Sequence, residues 1–113
     1  MEMPVSQKLK ILIYPGLHAR PGSEFVKFCQ QFESDVEINV GDKSANGKSL
    51  LSLFKIEPKQ FSVIDLKISG NDEDQLMNNL IEWKTEAYGS KEDFDNENIE
   101  EESLQVFELI QDE

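Results

Sequence analysis

The chain has a single histidine, His18, within Gly16-Leu17-His18-Ala19-Arg20-Pro21. An amphipathic helix is expected to begin there, and the first turn of a helix has backbone N–H groups without intrahelical partners and partial positive charge, so it favours an anion. Arg20 adds a guanidinium fork that matches phosphate oxygens. Pro21 is tolerated because its missing N–H would have had no partner, and Gly16 eases the turn that leads in. The same positive field disfavours imidazolium, so the expected His18 pKa lies below the ordinary value of about 6.5. A neutral ring keeps the lone pair that attack on phosphorus requires. Spacing alone leaves open a second reading, in which His18 only caps or packs.

No rival catalytic cluster competes with this one. With one histidine and one cysteine the chain offers no zinc-type ligand set, and it has no glycine-rich loop of the nucleotide-binding kind. A metal- or nucleotide-dependent enzyme is therefore disfavoured, and no cofactor is expected. Cys29 falls on the apolar stripe of the first helix and reads as a small core residue. Since it cannot form an intrachain disulfide, a reducing, cytoplasmic setting is expected. Met1 to Ser6 lacks the charged and apolar regions of a signal peptide, and no stretch approaches the roughly 20 apolar residues that span a bilayer.

Charge is unevenly spread along the 113 residues. Residues 1–86 carry ten Lys and Arg against 13 Asp and Glu, a net of −3, whereas residues 87–113 carry one Lys against ten acids, a net of −9. Nucleic acid and anionic membrane surfaces both need clustered positive charge, so neither is an expected partner.

The elements that must position His18 follow from periodicity. Lys8 to Tyr14 reads as a first strand, with Leu9, Ile11 and Ile13 on one face. Ala19 to Phe32 switches to helical spacing, because Phe25, Phe28, Cys29 and Phe32 fall at i, i+3, i+4 and i+7. Val36, Ile38 and Val40 alternate with Glu37 and Asn39 in a second strand, and Gly41-Asp42 suits a tight turn into a third over 43–46. Ser49 to Phe54 reads as a short helix, Phe61 to Ile68 as a fourth strand, and Asp72 to about Ala87 as a last helix in which Leu76, Met77, Leu80 and Trp83 pack. Strands with one polar face imply an α+β, two-layer sandwich with its sheet covered on one side.

From Gly16 to about Glu86 the chain resembles HPr, the histidine phosphocarrier of the bacterial phosphoenolpyruvate-dependent phosphotransferase system. The resemblance rests on Gly16 to Pro21, Glu24-Phe25-Val26-Lys27, Gly47-Lys48-Ser49-Leu50-Leu51 and Gly70-Asn71-Asp72-Glu73-Asp74, in that order. It implies a four-stranded antiparallel sheet with three helices on one face, ordered βαββαβα, His18 as phosphoacceptor and Arg20 as its charge partner. It also implies enzyme I as donor and EIIA-type domains as acceptors, a monomeric carrier rather than an enzyme, and a docking role for Leu50, Leu51 and Phe54. Their apolar character agrees with that role, since a helix this short can bury only one side.

Ser49 reads structurally as the N-cap of the short helix, worth about 1 kcal/mol. The resemblance adds regulatory phosphorylation at Ser49 by an HPr kinase/phosphorylase.

The chain departs from HPr at its end, where a phosphocarrier domain over 1–87 is followed by an acidic extension over 88–113. Gly89 to Asn98 reads as flexible. Beyond it, Ile99, Leu104, Val106, Phe107, Leu109 and Ile110 suggest a short amphipathic helix or strand docked on its own domain, or a segment that covers His18 or binds a partner. On the covering or partner-binding alternative, deletion after Ala87 would change transfer rates without unfolding the domain. Three functions stay open: a carrier in transport, a carrier in a regulatory branch that moves no sugar, and an interaction module. The intact His18–Arg20 pair speaks against the last.

Overall fold

Strict alternation builds the sheet. In β2 (Asp35–Val40) Val36 and Ile38 are buried while Asp35 and Glu37 face water, and β4 (Val63–Ser69) repeats the pattern with Ile64, Leu66 and Ile68 inward. A computed structural model describes residues 5–17, 19–88, 90–97 and 104–110, and everything below concerns those residues. β1 (Val5–Ile11) starts and ends earlier than alternation suggested, with Leu9 and Ile11 fully buried. β3 (Lys43–Asn46) returns from β2 through Gly41, whose φ of 61° lies in the left-handed region that favours glycine.

α1 (Ala19–Cys29) stops three residues before the expected Phe32. Its hydrogen bonds tighten there: Gln30 still donates to Val26, but Gln31 and Phe32 donate to Phe28 and Cys29, a 3₁₀-type ending. Phe32 keeps its place against the core despite leaving the helix. α2 (Leu50–Ile56) buries Leu53 and Ile56.

α3 (Glu73–Ile81) departs furthest from expectation, since the spacing predicts a helix to about Ala87. Trp83 N–H donates to Leu80 at 3.2 Å, and the chain leaves as β5 (Lys84–Thr85). After α4 (Lys91–Asp95), β6 (Leu104–Gln105) pairs antiparallel with β5, and β7 (Phe107–Ile110) pairs antiparallel with β1. The sheet therefore has five strands in the order β3-β2-β4-β1-β7, where four were expected, and α4 is a helix beyond the expected three. All its pairings are antiparallel, and α1, α2 and α3 cover one face, so the α+β two-layer class stands.

The returning segment belongs to the core. Val106 and Phe107 are fully buried, and the Phe107 ring meets Phe25 edge-on at 6.0 Å. Trp83 lies 5.9 Å from Phe25, 6.3 Å from Phe28 and 6.2 Å from Phe107, so it packs as expected but from outside the helix. α4 lies in the stretch read as flexible; Ser90 caps it by accepting from Asp93 N–H, and Phe94 sets an edge against Tyr14 and Tyr88. The outer face of the sheet stays wet and charge-alternating: Lys10 sits between Val63 and Glu108, and Lys67 between Ser6 and Glu37.

The sequence places Asp72 at the start of the last helix, yet its side chain makes no cap there. Its carboxylate accepts instead from Ser34 Oγ at 2.5 Å and from the backbone N–H groups of Glu33 and Ser34, both at 2.9 Å. Gly70 permits this approach, since a Cβ at that position would lie 2.6 Å from Ser34. The Ser34 hydroxyl first, then the Glu33 N–H, hold the Asp72 carboxyl below the ordinary carboxylate range.

Two outcomes follow. Phe107→Ala should cost about 3–5 kcal/mol in thermal or denaturant melts, so truncation after Ala87 removes core instead of trimming an appendage. For Asp72, the bonds exist only in the folded, ionised state, so their contribution is whole above the ordinary carboxylate pKa of about 3.9 and is lost as pH falls through the lower folded value. Urea melts from about pH 7 to about pH 3 should therefore show a smaller acid-dependent loss in Asp72→Asn than in the wild type.

Candidate functional site

The backbone leading to position 18 is fixed by a second loop. Leu17, almost fully buried, donates its N–H to Pro58 at 2.9 Å, and Gly16 forms an isolated bridge with Lys59. Gln60 completes the contact, its N–H donating to Pro15 at 2.8 Å and its Nε2 to Leu12 at 3.0 Å. Only glycine fits at 16, because a Cβ would lie 2.1 Å from the Pro58 carbonyl and φ is +137°. On the other side α1 begins at Ala19 with no acidic residue in its first turn. Position 18 thus joins a fixed loop to the anion-favouring end of an eleven-residue helix. His18 itself lies outside the described residues.

Arg20 is 57% exposed and is held by two carboxylates. Its Nε donates to Glu24 Oε1 and its Nη2 to Glu86 Oε2, both at 3.3 Å. The other oxygen of Glu24 accepts from the hydroxyl of Thr85, which is buried in β5. Bonds of this length between half-exposed groups are weak and screened by water. Glu24 could have been found from the sequence as the i+4 partner of Arg20. Glu86, 66 residues away, gave no local signal.

Ser49 is the N-cap of α2, with φ −123° and ψ 115°, and its Oγ accepts from Ser52 N–H at 3.3 Å. Along α2 the sequence-expected docking residues divide. Leu51 is 77% exposed and Phe54 38%, whereas Leu50 is half-buried against the core. Phe54 borders α1 near its start, since a Cβ on Gly22 would come 3.2 Å from its ring. The apolar patch and the arginine therefore flank the same end of α1.

Cys29 takes no part. Burial pushes its thiol up to about 12, with Lys48 acting weakly the other way, so it stays protonated at neutral pH. Among the described residues no group of three or more His, Cys, Asp or Glu is placed to hold a metal ion, and no helix is long and apolar enough to cross a membrane.

Comparison with known proteins bears on this arrangement. A family model described as the PTS HPr component phosphorylation site matches residues 5–85. The phosphocarrier protein HPr of Haemophilus influenzae is 34% identical over 76 residues, covering 67% of this chain and 89% of that protein. HPr of Buchnera aphidicola subsp. Schizaphis graminum is 39% identical over 80 residues, covering 71% and 94%. Among solved structures, HPr of Bacillus anthracis superposes with a TM-score of 0.66 at 25% identity, covering 68% of this chain and 92% of that one. The family match ends at residue 85, ahead of α4, β6 and β7.

Proposed function

This chain belongs to the HPr family of phosphocarrier proteins, and we propose that it accepts a phosphoryl group from enzyme I on His18 and passes it to a histidine of an EIIA-type domain. The observation that carries this reading is an exposed, loosely paired Arg20 in the first turn of the helix that follows His18. A ring nitrogen of His18 attacks phosphorus on the donor's phosphohistidine. The donor's N–P bond breaks, its electron pair returns to the donor ring, and a new N–P bond forms on His18. The acceptor histidine then repeats the step in the forward direction.

Arg20 supports both steps by exchanging Glu24 and Glu86 for phosphoryl oxygens, so a guanidinium is never left unpaired. Exchange of one anion for another leaves a small net gain, which suits a carrier that must release its cargo. The N–H groups of the first turn of α1 favour the same charge. Leu51 and Phe54, backed by Leu50, form the apolar surface on which donor and acceptor dock. Ser49, half-buried and engaged as a cap, is a regulatory site at the edge of that surface, where an added phosphate changes docking more than folding.

The test is incubation with phosphoenolpyruvate and enzyme I. The wild type should incorporate acid-labile phosphate and His18→Ala none, while Arg20→Ala should lose about tenfold or more in transfer rate, the scale of a charge-assisted contact to phosphate. Absence of acid-labile phosphate on the wild type would leave the interaction-module reading ahead.

A further inference from the structure

Glu86 lies on a segment held at one end by Leu104, beyond the HPr-matched region, and at the other by Tyr14, within that region, against which Phe94 of α4 packs. On one side Thr85 pairs with Leu104 across β5 and β6, and its hydroxyl meets Glu24. On the other, Tyr88 forms a bridge with Tyr14, its carbonyl accepting Tyr14 N–H at 2.8 Å. Phe94 of α4 sets its ring against both tyrosines, with centroids 5.4 and 5.2 Å away. β6 is held in turn by Val106, which donates to Trp83 and accepts from Leu12.

We propose that the C-terminal return of the chain holds Glu86 as a tethered competitor for the phosphoryl group at Arg20, and so sets how readily the carrier gives that group up. The inference rests on the phosphocarrier reading above. A carboxylate fixed beside Arg20 acts at high effective concentration, although each ion pair is weak on its own. Phosphorylation must displace it, and transfer to an acceptor lets it return. Without the tail's anchors Glu86 would spread over many positions, Arg20 would pair more fully with the phosphoryl oxygens, and the phosphorylated form would persist. Glu24 cannot fill the same role alone, because its second oxygen is engaged by Thr85.

The test uses the full chain equilibrated with phosphoenolpyruvate, pyruvate and trace enzyme I, reading the ratio of phosphorylated to free protein. Glu86→Gln should raise that ratio about threefold, the scale of one exposed ion pair. Phe94→Ala, which loosens the anchor, should move it the same way. Asp95→Asn removes the same charge from exposed α4 and should leave it unchanged. Glu86→Gln should have no effect in an Arg20→Ala background, since the coupling runs through the guanidinium.

A chain that incorporates phosphate but whose ratio Glu86→Gln leaves unmoved would overturn the inference alone. So would an equal rise from Asp95→Asn, or a rise that survives Arg20→Ala. A rise with Glu86→Gln and none with Phe94→Ala would overturn the tail's part in it. No phosphate on the wild type would overturn the phosphocarrier reading and this inference with it.

Discussion

β1 is hydrogen-bonded along both edges, to β4 on one side and to β7 on the other, and the rest of the molecule is arranged around that double pairing. Its inward residues Leu9 and Ile11 are fully buried because neighbours close over them from both directions, Ile64 from β4 and Phe107 from β7. The strand also sets direction. Beyond Ile11 the chain continues straight into the loop that ends at Leu17, so what holds β1 holds the approach to His18.

From there the site follows by short steps. Gly16 lets two backbones meet, Leu17 is buried and tied to Pro58, and α1 opens its positive end beyond position 18. α1 buries Phe25 against Phe107 and Trp83, so the same tail that borders β1 also seats the helix that carries Arg20. Charge is then balanced locally. A net of −12 over the chain opposes an added anion, and in the proposed function it is Arg20, paired with Glu24 and Glu86, that would admit a phosphoryl group by exchanging one anion for another.

Features governed by local chemistry were legible in the sequence. The β2 alternation, the Gly41 turn and the Ser49 cap all stand where residue types placed them, because each depends on neighbours a few positions away. Features set by distant partners were not. The spacing of Leu76, Met77 and Leu80 carries on to Trp83 with no proline or glycine to stop it; pairing of Thr85 with Leu104 ends the helical run, and nothing near Ile81 announces that partner. Val106, Phe107 and Ile110 were near helical spacing, yet Phe107-Glu108-Leu109 alternates, and the β1 edge decided between the two. At the site, Arg20 and the exposed Leu51 and Phe54 could be named from sequence, while Glu86 and Thr85 could not, since their place depends on the returning tail.

The central claim is that His18 carries a phosphoryl group reversibly. Phosphorus NMR of the full chain at neutral pH, after addition of phosphoenolpyruvate and trace enzyme I, tests it most directly. The account predicts one phosphoramidate resonance coupled to the His18 ring, which vanishes when an EIIA-type acceptor is added or the solution is acidified. A resonance from a serine ester in its place, or no protein-bound phosphorus at all, would contradict it.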